Sequence, residues 1–344
     1  MKNPDRKRLG KAVVLLCLAL ALTALFTLLP SGAGRTPPAE EAQPSPEVTS
    51  EPIPAPTPAP TPEPTSEPTP EPTPEPTPER VYSGMWGEQY ADKFTDGEIV
   101  QTENSYQSAK VNVTLTRVVE DDVIYFVADV YVSDLAYLRS GFAHGKFNGG
   151  FQYIDELSRD LGAIVAITGD HYAGRSAGIV LRDGVAYRDR RFRDVCVLYR
   201  DGRMRTIDER EVDVAAIFEA DPWQVWSFGP ALLDSEGHAK ERFNTDVFPV
   251  NPRSAIGYDK PGHYYLVEVE GSRGGTWSGS RGMDMRRLAE LFESLGCTSA
   301  YNLDGGRSAA ITWMGELVST DYGRTISDVI YVTDTLPDEE GAGE

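Results

Sequence analysis

Apolar positions in the C-terminal two thirds of the chain recur mostly with period two or in short unbroken runs, a pattern of strands more than of helices. Val111, Val113 and Leu115 alternate with polar residues, and residues 123–132 are rich in β-branched and aromatic side chains. Asp121-Asp122 separates these two runs and predicts a hairpin. Residues 163–168 form a continuous apolar strand that ends at Gly169-Asp170, and Asp183-Gly184 and Asp201-Gly202 read as turns between strand-like segments. Further strands are expected over 264–269, 300–303, 311–314 and 329–332. Helical spacing is rarer. Residues 151–161 read as a short helix with Ile154 and Leu157 inward, and Asp208 with Glu211 forms a capping pattern for a helix through Phe218. Met285, Leu288, Ala289, Phe292 and Leu295 recur at helical spacing between an Asp284 cap and Gly296. Hairpins plus one strand–helix–strand unit predict an α+β domain, a mixed β-sheet with packed helices.

The N-terminal quarter follows a different grammar. Residues 12–29 carry no charge and follow Lys2, Arg6, Lys7, Arg8 and Lys11. A run of that length just spans a bilayer, and the preceding cations set a cytoplasmic N-terminus. The expectation is one uncleaved transmembrane helix; Ser31-Gly32-Ala33 makes a cleaved leader the alternative. Seventeen of the 25 prolines then fall between Pro37 and Pro78, in Pro-Thr-Glu repeats that bury no apolar surface and predict a disordered, extended stalk. The expected organisation is a start and membrane segment at 1–34, a stalk at 35–80, a catalytic-type domain at 81–336 and an acidic tail at 337–344. That order places the domain at the cell membrane, single-pass, on the extracytoplasmic side.

Charge narrows the partners. The chain has 33 basic and 53 acidic side chains, a net charge of -20, which excludes an ordinary nucleic-acid binder. The stalk and tail hold much of that excess, leaving a moderately acidic domain in which an anionic substrate needs a local arginine site. Cys196 and Cys297 each sit in an apolar stretch and read as two buried thiols, with a single disulfide as the other possibility. Arg188-Asp189-Arg190-Arg191-Phe192-Arg193 is the one basic cluster, read as a solvated loop, or as a contact for an anionic wall polymer.

Two common catalytic signatures are absent: there is no phosphate-binding loop ending in Lys-Ser or Lys-Thr and no HExxH. One arrangement occurs twice. The strand over 164–168 ends in Gly169-Asp170-His171-Tyr172, and that over 300–303 ends in Asp304-Gly305-Gly306-Arg307-Ser308. Each places a carboxylate just beyond a buried strand, beside glycine, where ligands of sheet proteins gather. Asp304 is the first candidate and Asp170 the second. Convergence of Asp170, His171 and Asp304 would instead make a divalent-cation site.

The order of motifs adds a resemblance. Asn251-Pro252-Arg253-Ser254-Ala255-Ile256-Gly257, then Ser280-Arg281-Gly282-Met283 and its helix, then Tyr301-Asn302-Leu303-Asp304-Gly305-Gly306-Arg307-Ser308 resembles the phosphodiester glycosidase family. The likeness is to the uncovering-enzyme type, in its bacterial membrane-anchored branch, and covers roughly residues 105–335. Gly169-Asp170-His171-Tyr172, Phe228-Gly229-Pro230-Ala231-Leu232 and Arg324-Thr325-Ile326-Ser327-Asp328 also match. The sequence departs from the pattern at Arg307, which stands for a third glycine, and at Ala309, Thr168 and His171.

The resemblance implies a hydrolase that cleaves a sugar-1-phosphodiester in an envelope glycan or sugar-phosphate conjugate. Arg253 and Arg307 then serve as bidentate phosphate donors, with the Gly305 and Gly306 amides beside them. Asn302, Ser308, His171 and Arg324 complete the expected binding set, and Asp304 or Asp170 is the base or nucleophile. Two rivals stay open at this point: a non-catalytic carbohydrate-binding or exopolysaccharide-assembly protein on the same fold, and a metal-dependent phosphodiesterase.

Overall fold

The structure is a computed structural model that describes residues 84–336. The expected membrane segment, stalk and tail lie outside the described residues, and within them no helix is long and apolar enough to cross a membrane. Three antiparallel sheets make up the domain.

The first sheet has seven strands, in the order β1 (Val100–Gln101), β2 (Ser105–Gln107), β3 (Val111–Glu120), β4 (Val123–Val132), β13 (His263–Val269), β12 (Arg253–Lys260) and β14 (Ser299–Asn302). The second runs β10 (Met204–Ile207), β9 (Val195–Tyr199), β11 (Pro222–Trp226), β7 (Gly178–Arg182), β8 (Val185–Arg190). The third runs β16 (Glu316–Leu317), β15 (Ile311–Trp313), β6 (Val165–Thr168), β17 (Asp328–Val332), β5 (Leu138–Phe142). The β3–β4 hairpin forms where expected, because Asp121 and Asp122 both adopt positive φ, 49° and 63°, the geometry of a tight two-residue turn.

Alternation along the strands joins the sheets into one interior. Tyr301 and Leu303, Val165 and Ile167, and Cys196 and Leu198 point into a shared central core. Their neighbours in sequence face outward under a helix. Ala300, Ala255 and Val267 pack against α3 (Met285–Ser294) through Met285, Leu288, Ala289 and Phe292. Ala166 and Val329 meet Ile154 and Leu157 of α1 (Ile154–Asp160). Val195, Val197 and Val225 meet Ile217 of α2 (Val214–Glu219). Each sheet thus carries one short helix on its outer face, and each fully buried Leu, Ile or Phe contributes roughly 1.5–3 kcal/mol to that packing.

This architecture corrects the expected fold class. The domain is mostly β-sheet, with three α-helices among the described residues, and it is not an α+β domain with a mixed sheet. Every strand pairing in the three sheets is antiparallel. The strand–helix–strand unit β13–α3–β14 suggested parallel neighbours, but β12 lies between the two strands and is antiparallel to both. The helix expected through Phe218 is divided in two. Asp208 caps only the 3-10 turn Glu209–Glu211, Val212 is extended, and Asp213 caps α2 by accepting from the Ala216 amide. Cys196 and Cys297 are both free and buried, and burial raises both thiols, that of Cys297 to about 12.

Candidate active site

The loops after β6 and β14 are joined to each other. The Asp304 amide donates to the Gly169 carbonyl at 3.0 Å, and the Leu303 amide donates to Ser254 at 2.8 Å. Two glycines permit this closeness. A Cβ on Gly169 would lie 2.2 Å from Asp328 Oδ2, and one on Gly305 would lie 2.6 Å from the Pro252 carbonyl. The repeated strand-end carboxylate therefore converges in space, but the two carboxylates enter different environments.

Asp304 borders a cavity of about 100 Å³ lined also by Phe228, Asn251, Arg253, Arg273, Asn302, Gly305 and Gly306. Its side chain is 13% exposed, and its Oδ2 is buried without a hydrogen-bond partner. Burial raises its pKa, opposed by the charge of His171, by a hydrogen bond with the Ser308 side chain, and by the charges of Arg324 and Arg175. His171 Nδ1 stands 3.7 Å from Asp304 Oδ2. Oδ2 is thus enclosed and unpartnered beside the imidazole, in a carboxyl whose ionisation burial opposes.

Asp170 is fully buried and its oxygens are engaged. Oδ1 accepts from Arg182 Nη2 at 2.9 Å, and Oδ2 accepts from the Ser227 amide at 2.8 Å with Arg175 Nη2 at 3.5 Å. Desolvation opposes its ionisation, yet Arg182, Arg175 and the amide outweigh it and hold the pKa below the usual range. Arg182 also reaches Asp328 Oδ2 at 3.3 Å. Asp328 in turn accepts from the Asp170 and His171 amides at 3.1 and 3.2 Å and from Ser327 Oγ at 2.8 Å. Burial and the neighbouring Asp170 charge push Asp328 up to about 6. The Asp170–Arg182–Asp328 group therefore holds the Gly169–His171 turn in place. Asp170, His171 and Asp304 do not face a common point. Among the described residues no group of three or more His, Cys, Asp or Glu side chains could hold a metal ion.

The remaining expected residues divide between cavity and wall. Asn302 lines the cavity, donates from Nδ2 to the Gly229 carbonyl at 2.8 Å, and leaves Oδ1 buried and unpartnered. Arg253 is buried and donates to the carbonyls of Met283 at 3.0 Å, Phe248 at 3.3 Å and Pro249, so much of its donor capacity goes to the main chain. Burial lowers its pKa to about 10. The Gly306 amide donates to Pro252, which removes it as a phosphate donor. Arg307 is exposed, lies against Gly274 and donates to the Tyr322 carbonyl at 3.1 Å. With Ser308 and Arg324 it lines a second cavity, about 110 Å³, separate from that beside Asp304.

Sequence reasoning did not single out Arg175 or Arg182, and it assigned Arg188 to a solvated loop. Arg182 closes a wholly buried apolar strand, a position that calls for a buried carboxylate partner and was the available signal. Arg188 instead donates to the carbonyls of Gly178, Tyr172 and Arg175 at 2.7–3.1 Å and fixes the segment after His171.

A buried carboxyl raised in pKa thus stands beside a glycine turn walled by asparagine and arginine, and the family comparison makes the chain a hydrolase of the glycosidase type. The family model described as phosphodiester glycosidase matches residues 161–333, half of the chain, and the chain belongs to this family. It is similar to the SPbeta prophage-derived protein YomE of Bacillus subtilis (strain 168), 31% identical over 193 residues, 52% of this chain and 29% of that protein. It is also similar to N-acetylglucosamine-1-phosphodiester alpha-N-acetylglucosaminidase of Bos taurus, 34% identical over 77 residues, 22% of this chain and 14% of that protein. The chain thus spans less than a third of either curated relative. The catalytic domain of the zebrafish enzyme of the same name shares the fold, with a TM-score of 0.52 at 20% identity, covering 66% of this chain and 83% of that one. A protein from Synechocystis is similar at a TM-score of 0.50 and 15% identity, covering 65% and 62%.

Proposed function

We propose that this chain hydrolyses a sugar-1-phosphodiester, with an N-acetylglucosamine-type sugar on the phosphate. The observation that supports it most is the Asp304 carboxyl, buried, raised in pKa and without a hydrogen-bond partner at Oδ2 beside the cavity. Asp304 in its ionised form takes a proton from water as the water oxygen bonds to the anomeric carbon. The anomeric carbon–oxygen bond breaks, and its electron pair leaves on the phosphate monoester. A phosphate leaving group needs cations around it more than a strong acid, which suits a site with one open carboxyl and several arginines. The names of the bovine and zebrafish relatives support the choice of sugar.

An envelope glycan as substrate and an extracytoplasmic location complete the reading. Both rest on the sequence: the cation-led apolar run at 12–29 and the Pro-Thr-Glu stretch after it. Protease accessibility on intact cells tests the location. For the reaction, the protein is incubated with UDP-N-acetylglucosamine or a model glycosyl phosphodiester in ¹⁸O water. Label in the released sugar is expected; label in the phosphate would overturn cleavage at the anomeric carbon.

A further inference from the structure

Five buried polar atoms around the Asp304 loop have no hydrogen-bond partner: Asp304 Oδ2, Asn302 Oδ1, Ser254 Oγ, Arg182 Nε and Arg175 Nε. Buried polar groups are otherwise nearly always satisfied, so each such atom is a place for a ligand atom. Of the two guanidinium donors among them, Arg182 is held between two aspartates, whereas Arg175 meets one. Its guanidinium lies 5.1 Å from the Phe192 ring and 5.7 Å from the Phe228 ring, and Phe228 is itself a wall of the Asp304 cavity. Its Nη2 is committed to Asp170 and the Ser227 carbonyl, which fixes the plane and leaves Nε–H without an acceptor.

The charge around it is mixed. Arg175, Arg182 and Arg188 are close enough for the first two to act on the third, and two buried carboxylates, Asp170 and Asp328, lie among them. Asp304, on which the Arg175 charge also acts, is a third carboxyl, so three cations stand against three carboxyl groups, of which Asp328 and Asp304 are raised in pKa. The other arginines are less suited. Arg253 is tied to carbonyls, Arg182 is held between two aspartates, and Arg307 lies on the second cavity. Arg273 lines the cavity but is exposed, so solvent screens it.

We propose that Arg175 is the phosphate-recognising residue of this site, donating from Nε to a phosphate oxygen, while Asn302 Oδ1 accepts from a hydroxyl of the attached sugar. This deepens the proposed function and rests on it for the sugar, but the phosphate contact is testable without turnover. The two aromatic rings and Asp170 hold the guanidinium before the ligand arrives, so little side-chain freedom is lost on binding.

The test is binding of inorganic phosphate to the full chain, by calorimetry and by phosphate-dependent thermal protection, in wild type, Arg175→Gln, Arg175→Lys and Arg307→Gln. Expected are at least a tenfold weaker affinity in Arg175→Gln, partial recovery in Arg175→Lys, and wild-type affinity in Arg307→Gln. Should Arg175→Gln fail to fold, Arg175→Lys carries the comparison, because it keeps the charge and loses the Nε geometry; a measurable loss of affinity is then expected. Equal phosphate affinity in folded Arg175 variants, or no phosphate binding by wild type, overturns the assignment. Phosphate binding that depends on Arg175 without hydrolysis of any glycosyl phosphodiester overturns the proposed reaction and leaves the anion site standing.

Discussion

His171 Nδ1 lies 3.7 Å from Asp304 Oδ2, at the point where the loops after β6 and β14 meet. Burial disfavours the Asp304 carboxylate, whereas the imidazole, when it carries a proton, favours it. The net shift is upward, so a reaction needing ionised Asp304 gains rate as pH rises through a value above the ordinary aspartate range, about 3.9. Removing the imidazole as His171→Gln removes a charge that holds the pKa down. The acidic limb of the kcat/KM profile is then expected to move to higher pH, and an unmoved limb would separate His171 from Asp304.

Asp304→Asn is expected to lower kcat by on the order of 10²–10⁴-fold, the usual contribution of a positioned base. Its stability should equal or exceed wild type at neutral pH, because a poorly solvated charge is removed. Paired kinetics and urea denaturation check both statements. Retained turnover in the folded variant would remove Asp304 from the reaction.

Arg182 is buried between Asp170 and Asp328. Arg182→Met leaves two carboxylates facing each other without their shared cation, and about 3–5 kcal/mol of destabilisation is expected. A urea midpoint close to wild type would show that the group does not hold the site loop.

Glu268 gives a pH effect of its own. It is fully buried in β13, both oxygens lack partners, and burial with the nearby Glu270 charge raises its pKa well above the usual value. A carboxyl raised on folding binds more protons in the folded state. Its contribution to stability is therefore present below the unfolded pKa, about 4.3, and is lost as pH rises through the folded one. Glu268→Gln should flatten that loss and give a protein more stable than wild type at pH 7 than at pH 4. Identical pH profiles of unfolding free energy would contradict the burial assigned to Glu268.

Cys196 and Cys297 are free, buried and raised in pKa, so thiolate is scarce at neutral pH. Alkylation of both is expected only after unfolding. Mass spectrometry of peptides labelled with and without urea reads this directly, and rapid labelling of either residue in native protein would refute it.

The local grammar was legible. The β3–β4 hairpin followed from Asp121-Asp122 between alternating runs and α3 from its Asp284 cap and apolar stripe, while Gly169-Asp170 and Asp304-Gly305 were legible as strand-end turns but not as neighbours. Pairing partners were not, because alternation says which face a residue takes and nothing about which strand lies beside it. That is why β13–α3–β14 suggested a mixed sheet until β12 was found between the two strands. Arg253 shows a related limit. An arginine in a motif announces donors but not their acceptors, and here Met283, Phe248 and Pro249 supply carbonyls from elsewhere in the chain.

The sequence by itself determined the strand-rich character, the turns and the phosphodiester glycosidase resemblance, since all of these reside in neighbouring residues or in motif order. Tertiary structure alone decided which carboxylate stays open. Asp170 and Asp304 follow similar strands, but Asp170 is enclosed by Arg182, Arg175 and the Ser227 amide, whereas Asp304 keeps one oxygen unpaired beside a cavity. Partners brought from five to 57 residues away set that difference, and desolvation makes each of them count far more than it would in water.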